Sequence, residues 1–230
     1  MNFTWGNRMK RRHLLKLGLG TGAAIGIASL GRASTICGKT PAQIEGPFYP
    51  INPQSDKDWD LTQVQGKIRQ AQGEEIIVTG QVSDEACQPI KDTVVEIWQA
   101  CQSGKYNHPN DPNTAPLDPD FQYWGKAQTD DQGIYIFKTI IPGAYPADTN
   151  WIRPPHIHFK VHKWGYKELT TQLYFEGNQY NQNDRILNQI PREEQPKVVR
   201  PILNRVFKLP GENEMIRKYI EFDIVLKKII

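Results

Sequence analysis

Short segments rich in β-branched and aromatic residues recur from residue 74 onward, and they constrain the fold more than any other feature of the sequence. They cover residues 75–82, 93–100, 134–139, 156–162, 170–175 and 219–226. Asp, Gly and Pro between them supply turn signals, and no alternation of strands with helices is visible. We therefore predict an all-β fold, an antiparallel β-sandwich core with long irregular loops and little helix. The polar, proline-interrupted residues 182–206 are expected to form a long excursion with a helical turn or two.

The chain length suits a single folded domain. All-β domains of roughly 200 to 250 residues are routine, and this chain has 230. Hydrophobic residues make up 38% of it, which is enough for a packed core and too many for a disordered chain. We divide the sequence into an export signal over residues 1–33, an N-terminal arm over 34–73 and a β-sandwich domain over 74–230.

The positive charge is concentrated at the N-terminus. The formal net charge is +3, but residues 1–33 contain six Lys or Arg and no Asp or Glu. The remainder therefore carries 22 basic and 25 acidic residues. A mildly acidic body argues against a nucleic-acid partner, because domains that bind nucleic acid carry basic patches.

Residues 1–33 have the organisation of a targeting segment. Basic residues 10–12 precede an apolar, glycine-rich run, and residues 31–33 offer the small side chains that a signal peptidase reads. The run is short and rich in glycine for a membrane span. The pair Arg11-Arg12, followed by Leu14, resembles a twin-arginine export signal. We expect a periplasmic or secreted protein with no stable membrane span in its mature form; an uncleaved membrane anchor is the alternative.

The three cysteines are too few for a disulfide scaffold and lack the CxxC spacing of a zinc module. Cys87 lies in a predicted turn and Cys101 beyond the next strand. At about 3.3 Å per residue they are tens of ångströms apart, whereas a disulfide needs a Cα separation of about 6 Å. No bond between Cys87 and Cys101 is expected.

A candidate metal site lies in the segment PHIHFKV. His156 and His158 are two residues apart in a predicted strand, so both imidazoles project from the same face and can share one metal ion. An isolated pair of this kind is more often a surface feature of a strand. No carboxylate at a fixed spacing completes a two-His, one-carboxylate iron(II) site, and no nearby Cys favours zinc or blue copper. Tyr is abundant in the preceding loops, and phenolate oxygens suit a hard, highly charged ion such as Fe(III).

Several long motifs resemble those of the intradiol ring-cleavage dioxygenases, in particular the iron-bearing β subunit of the protocatechuate 3,4-dioxygenases. They are GKYNHPND at 104–111, PLDPDF at 116–121, TDDQGIYIFKTIIPGAYP at 129–146, WIRPPHIHF at 151–159 and TQLYFEG at 171–177. With VEIWQA before them and YIEFDIVL after them, the resemblance covers most of residues 74–226. It implies insertion of both atoms of O2 between the two hydroxyl-bearing carbons of a catechol, which gives a cis,cis-muconate-type dicarboxylate.

The resemblance also assigns site residues. Tyr106, Tyr145, His156 and His158 match the four protein ligands of a non-haem Fe(III), and the family's counterpart of Tyr145 leaves the metal when substrate chelates. Arg153 and Gln172 match residues beside the metal, and Arg153 is expected to stabilise negative charge on the ring. Ile152 is an insertion relative to the family's WRP and could displace Trp151.

The substrate and the assembly stay open at this stage. Catechol, protocatechuate and hydroxyquinol are all compatible with the motifs, and Tyr49 in EGPFYP could contact substrate or could pack. The resemblance is compatible with a homo-oligomer or with a second subunit. Two other classes of protein are retained: a β-sandwich binding module whose metal site has decayed, and a cupin with Fe(II), Mn or Zn.

Overall fold

The computed structural model describes residues 36–51, 54 and 56–229. The predicted export signal, residues 1–33, lies outside them. Twelve strands occur in the described part of the chain: β1 Glu75–Asp84, β2 Val94–Trp98, β3 Trp124–Gln128, β4 Ile134–Ile140, β5 Tyr145–Asp148, β6 Trp151–Arg153, β7 His156–His162, β8 Leu169–Phe175, β9 Val199–Arg200, β10 Leu203–Phe207, β11 Met215–Glu221 and β12 Ile224–Leu226. No helix in these residues has the length and hydropathy needed to cross a bilayer.

The first sheet is built around β1. Strand β4 pairs antiparallel with one edge of β1, while β11 and then β12 pair parallel with the other edge, and β10 continues the sheet beyond β11. The predicted single strand over 219–226 is thus two strands, separated at Phe222 and Asp223. Phe222 fills this break by donating its backbone N–H to Thr79 O at 2.8 Å.

The second sheet has the strand order β3-β2-β7-β8-β9 and carries the candidate site. Its pairs are antiparallel except β8 with β9. Strands β5 and β6 form a separate two-stranded ribbon that leads directly into β7. The all-β prediction is confirmed, with parallel pairing at three ladders that local sequence patterns did not indicate.

The hydrophobic core lies between the two sheets. Phe159 of β7 contacts Tyr135 of β4 at a ring-centroid distance of 6.0 Å and Phe222 at 4.9 Å, which joins the sheets face to face. Along β7, Ile157, Phe159 and Val161 point into this core. Because side chains alternate along a strand, the residues between them project from the opposite face of the sheet.

The N-terminal arm crosses that opposite face in irregular conformation. It is fastened at its start by a disulfide between Cys37 and Cys87, with a Cα separation of 5.3 Å. Thr40 Oγ1 then accepts a hydrogen bond from the backbone N–H of Val225, and Thr171 donates its hydroxyl to Pro41 O. Cys101 is buried and forms no disulfide, so the expected absence of a Cys87–Cys101 bond is confirmed. The Cys37–Cys87 bond was not predicted, because nothing local relates an arm residue to a turn 50 positions later.

The excursion between β8 and β10 contains three single-turn 3₁₀ helices, Asn181–Asn183, Leu187–Gln189 and Gln195–Lys197, and the short strand β9. Leu187, Ile190 and Val198 are buried against the core. The segment is therefore attached closely to the second sheet, and its residue Asp184 reaches the candidate site.

Candidate active site

Strand β7 places the two histidines of the HxH pair on the outer face of the second sheet. His156 and His158 alternate with the core residues Ile157 and Phe159, so both imidazoles project away from the sandwich. Each residue is only 2% exposed. The pair is therefore covered by other parts of the chain and is not a surface feature of the strand.

The neighbouring strands place side chains on both sides of this pair. His158 lies opposite Trp98 of β2 and Gln172 of β8, and His156 lies opposite Tyr174. The indole of Trp98 stacks on the imidazole of His158 with a centroid distance of 4.7 Å and an interplanar angle of 11°. This contact holds the His158 ring in one orientation.

Tyr106 and Tyr145 come from two loops that touch at a glycine. Gly104 has a φ of +81°, and a Cβ there would lie 2.4 Å from the carbonyl oxygen of Ala144. Only glycine permits this conformation and this approach without strain. Since Gly104 is two residues before Tyr106 and Ala144 directly precedes Tyr145, the contact brings the two tyrosines together. Asp111 fixes the first loop by accepting the Tyr106 backbone N–H at 2.7 Å.

The four predicted metal ligands converge on one point. Tyr106 Oη lies 3.3 Å from His156 Nε2, which lies 3.2 Å from His158 Nε2. The rings of Tyr106 and Tyr145 meet edge to face at 5.5 Å, and the Tyr145 ring is 5.8 Å from that of His156. Two atoms bonded at about 2.1 Å to one first-row metal ion lie roughly 3 Å apart when they are adjacent ligands. The observed spacing fits a shared ion.

The backbone selects the tautomer of His156. Its Nδ1 lies 2.7 Å from Pro154 O, and a carbonyl oxygen can only accept, so Nδ1 carries the proton. The Nε2 lone pair therefore faces Tyr106 and His158, which is the arrangement in which a histidine ligates a metal. His158 Nδ1 is buried without a hydrogen-bond partner among the described residues.

Burial and Arg153 determine the protonation states of these groups. Burial, followed by the charge of Arg153, lowers the pKa of His156 and of His158 well below the usual value, so both imidazoles are neutral. Burial raises the pKa of Tyr106 and of Tyr145, while Arg153 opposes the rise. The two phenols thus keep their protons unless a strong Lewis acid, such as a trivalent metal ion, displaces those protons.

Arg153 and Gln172 are joined directly beside the cluster. Arg153 Nη2 donates to Gln172 Oε1 at 2.6 Å and to the Tyr174 hydroxyl at 3.3 Å. Tyr174 in turn donates to Gln172 Oε1 at 3.0 Å. The sequence prediction placed Arg153 and Gln172 near the site but did not identify Tyr174, although it lies in the quoted motif TQLYFEG.

Asp184 supplies the charge that balances Arg153. Its Oδ2 accepts from Arg153 Nε at 2.7 Å, and its side chain is fully buried. Its Oδ1 accepts the backbone N–H groups of Ile186 and Leu187 at 3.1 and 2.7 Å. Sequence reasoning missed this residue, because it lies in the polar excursion with no motif around it.

The arm covers the cluster from the solvent side. Phe48 packs on Tyr106 with a centroid distance of 4.8 Å and on Tyr145 at 6.2 Å. A Cβ at Gly46 would lie 3.5 Å from His158 Cε1, so the arm backbone passes directly over that ring. In EGPFYP it is therefore Phe48 that contacts the predicted ligands.

Tyr49 is directed away from the cluster. Its hydroxyl donates to Glu96 Oε2 at 3.2 Å, its ring meets Trp98 edge to face at 5.0 Å, and Lys160 Nζ lies 3.9 Å from its centroid. Burial, with Glu96 beside the hydroxyl, raises the pKa of Tyr49 to about 12. Of the two roles left open for Tyr49, these contacts favour packing.

Trp151 stays next to Arg153 despite the inserted Ile152. The Trp151 ring centroid lies 5.6 Å from Arg153 Cζ and 5.0 Å from Arg185 Cζ, while Ile152 points outward and is exposed.

In the part of the chain that the structure describes, no three His, Cys, Asp or Glu residues form a metal-binding group. The two histidines of β7 are accompanied by two tyrosines.

Comparison with known proteins identifies the family to which the chain belongs. The family model described as "Dioxygenase" matches residues 44–228. The protocatechuate 3,4-dioxygenase beta chain of Burkholderia cepacia is 40% identical over 184 residues, which are 79% of this chain and 76% of the relative. A catechol 1,2-dioxygenase of Acinetobacter guillouiae is 32% identical over 162 residues, and the match spans about half, 51%, of its length.

Among solved structures, the dioxygenase domain of a dioxygenase and carbohydrate-binding protein fusion from Streptomyces sp. SirexAA-E is 29% identical. The match covers 84% of this chain and 100% of that one, with a TM-score of 0.58. The chain belongs to the intradiol ring-cleavage dioxygenase family, a family of ring-cleaving oxidoreductases.

Proposed function

We propose that this protein is a non-haem Fe(III)-dependent intradiol dioxygenase that cleaves a catechol-type ring with O2 to a cis,cis-muconate-type dicarboxylate. The observation that carries the proposal is that Tyr106 Oη, His156 Nε2 and His158 Nε2 converge. Each of these atoms lies within 3.3 Å of at least one of the others, and Tyr145 lies beside them. Family membership supports the reaction class, and this donor set supports Fe(III) as the metal.

The residues present fit a trivalent iron. Tyr106, Tyr145, His156 and His158 would hold it, since phenolate oxygens are hard donors, imidazole nitrogens also suit iron, and two phenolates would offset two of its three positive charges. When bound, the ion acts as a Lewis acid and as a template that orients the diol. The fixed Nε2 lone pair of His156 supports this assignment independently of the family, because its Nδ1 proton is committed to Pro154 O.

Arg153 is suited to stabilise negative charge on the ring during cleavage. It is buried, its Nε is held by Asp184 and its Nη2 by Gln172, so the guanidinium is fixed before substrate arrives. A fixed charge costs no reorganisation when the reaction proceeds. Burial disfavours the charged form, but the tyrosine hydroxyls and Asp184 around it raise the pKa of Arg153 overall, so it remains a cation.

Tyr145 is suited to accept a proton from the substrate diol at its Oη. Burial raises the pKa of this phenol, so its phenolate form would take up a proton readily. Tyr145 begins the β5–β6 ribbon, whose next residues are exposed, whereas Tyr106 is enclosed between Phe48 and the histidines. Tyr145 therefore has the freer position of the two.

The test is the visible spectrum of the purified protein, with metal analysis, before and after anaerobic addition of catechol, protocatechuate or hydroxyquinol. We expect stoichiometric iron, a tyrosinate charge-transfer band that shifts with substrate, and O2 uptake matched by a muconate-type product. A protein that stays colourless and inactive after loading with iron would overturn the proposal and favour a binding module of the same fold.

Two tyrosine variants make the test specific. Tyr106→Phe should weaken and shift the band and abolish turnover, because it removes one of the two ligand phenolates and leaves the ring packing on Phe48. Tyr135→Phe is the matched control: Tyr135 is equally buried but donates its hydroxyl to Phe222 O in the core, at 2.5 Å. It should lower stability and leave the band unchanged.

We also propose export by the twin-arginine route to the periplasm or beyond. The Arg11-Arg12 pair with its apolar run supports this, and so does the Cys37–Cys87 disulfide, since such bonds persist mainly in oxidising compartments. Fractionation of a bacterial host should recover the protein outside the cytoplasm, and Arg11→Lys with Arg12→Lys should retain it inside. Equal export of the two forms would contradict the route.

We further propose that the mature protein assembles with more subunits, either copies of itself or a second chain. Its relative in Burkholderia cepacia is named a beta chain, and the β10–β11 hairpin exposes apolar side chains. These are Leu203, Val206, Met215 and Ile216. Light scattering of the purified chain should give a mass above that of one protomer, or a monomer that is inactive alone; an active monomer would argue against assembly.

A further inference from the structure

The arm reaches beyond covering the site and enters the buried hydrogen-bond network of Arg153. Gln43 Nε2 donates to the Tyr174 hydroxyl at 3.0 Å, and Gln43 Oε1 accepts the backbone N–H of Gln172 at 3.1 Å. One arm side chain thus contacts both residues that hold Arg153 Nη2.

Gln172 has its amide orientation selected by the arm. A glutamine amide has one face that donates and one that accepts, and only the accepting oxygen can satisfy a guanidinium. Gln172 Nε2 donates to Ile44 O at 3.0 Å, which leaves Oε1 toward Arg153. The opposite orientation would set an NH2 group against Arg153 Nη2 and leave the Ile44 carbonyl without its donor.

Gln43 has its own orientation selected in the same way. Its Oε1 accepts a backbone N–H, so its Nε2 must be the atom that faces Tyr174. The Tyr174 oxygen then accepts from Gln43 and Arg153, and its proton is left to point at Gln172 Oε1. The loss of Gln43 therefore removes one of the two donors that fix the Tyr174 oxygen and the acceptor of the Gln172 backbone N–H, which loosens both residues that hold Arg153.

We propose that Gln43 is a positioning residue of the dioxygenase, which acts through Gln172 and Tyr174 to hold the Arg153 guanidinium in place. The inference rests on the proposed function. It assigns the N-terminal arm a role in turnover rather than only in shielding the cluster from water. The metal-binding atoms are not in contact with Gln43 in this network, so iron binding is expected to be independent of it.

The test is Gln43→Leu, which has nearly the same size and neither hydrogen bond. We expect an unchanged iron content and charge-transfer band, a kcat lower by about tenfold, equivalent to about 1.4 kcal/mol, and a KM within about twofold of wild type. Thr40→Val is the matched control, since it removes the arm's bond from Val225 N and leaves the network intact. It should keep the wild-type kcat.

A double-variant cycle separates positioning from general damage. If Gln43 acts through Gln172 and Tyr174, then adding Gln43→Leu to Gln172→Leu should lower kcat by clearly less than Gln43→Leu does alone, since only the Tyr174 contact is left to lose. In iron-free labelled protein, the side-chain amide signals of Gln172 should broaden and exchange faster with solvent in Gln43→Leu than in Thr40→Val. This readout does not depend on activity.

The outcomes can be distinguished. A wild-type protein that lacks colour and turnover with each catechol overturns the proposed function, and this proposal with it. If the wild type is active, three results would overturn the positioning role alone. They are a full kcat in Gln43→Leu, equal losses of kcat in Gln43→Leu and Thr40→Val, and additive losses of kcat in the double variant.

Discussion

Arg153 and Asp184 form a buried ion pair in which Nε donates to Oδ2 at 2.7 Å, with side chains that are 4% and 0% exposed. The carboxylate neutralises Arg153 beside the histidines and, through its other oxygen, accepts the backbone N–H groups at the start of the turn Leu187–Gln189. The excursion between β8 and β10 is thereby coupled to the site.

Asp184→Ala should destabilise the fold by about 3–5 kcal/mol, because it leaves a buried guanidinium without its counter-charge. Asp184→Asn should cost a similar amount, since its amide oxygen can still accept the backbone N–H groups of Ile186 and Leu187 but its NH2 group then faces Arg153 Nε without a counter-charge. Urea unfolding of both variants gives the comparison. Losses below about 1 kcal/mol in Asp184→Ala would mean that the pair contributes little.

The Cys37–Cys87 disulfide should stabilise the protein by about 2–4 kcal/mol, since it closes a loop with a sequence separation of 50. Cys37→Ser combined with Cys87→Ser should lower the thermal midpoint. At temperatures below the midpoint, the hydrogen bonds of Thr40, Gln43 and Ile44 should keep the arm on the site. Cys101→Ser is the control, because this thiol forms no disulfide. Equal midpoints of the wild type with and without reductant would contradict the expectation.

Gly104→Ala should lower stability by about 2–4 kcal/mol and reduce iron content together, through a strained φ and overlap with the Ala144 carbonyl. Gly177→Ala is matched to it: its φ of +77° is similar, but no atom lies within 4 Å of the added methyl. It should cost only about 1–2 kcal/mol, with full iron content. Chemical unfolding and metal analysis measure both effects, and identical results for the two variants would show that the loop contact is unimportant.

Tyr49 should titrate with a pKa of about 12, above the ordinary value of 10.0, because of burial and then Glu96. The folded state therefore holds this proton more tightly than the unfolded state. The stabilising contribution is complete below pH 10 and is lost as the pH rises through 12. Glu96→Gln should lower the pKa, and the exposed Glu176→Gln should not. Carbon NMR of labelled tyrosines, with Tyr49→Phe for assignment, would measure it; no change in Glu96→Gln would exclude Glu96 as a cause.

The histidine pair could be predicted from sequence because its geometry is local. Two residues at positions i and i+2 of a strand share a face wherever the strand lies. Tyr106 and Tyr145, in contrast, meet through Gly104, and only the resemblance to a family brought them into the site. The structure places the two rings 5.5 Å apart.

The network behind the site could not be predicted, because its members are distant in sequence and lack periodicity. Gln43 lies in an arm without strands, Asp184 lies in a proline-rich excursion, and Trp98 reaches His158 only through cross-strand register. The parallel pairing of β1 with β11 was hidden for the same reason. A pattern within one segment specifies which face is buried, but not which distant strand will cover it.

The position of β1 also sets the order in which the molecule can acquire its structure. One edge of β1 pairs with β4, which is the nearer partner in the sequence. The other edge is closed by residues 142 positions later, as in the hydrogen bond from Gln81 N to Asp223. During synthesis that edge stays open until β11 and β12 have emerged from the ribosome. The first sheet is therefore expected to be completed by a slow closure between distant segments, and a nascent chain lacking β11 and β12 would present an unpaired strand to its neighbours.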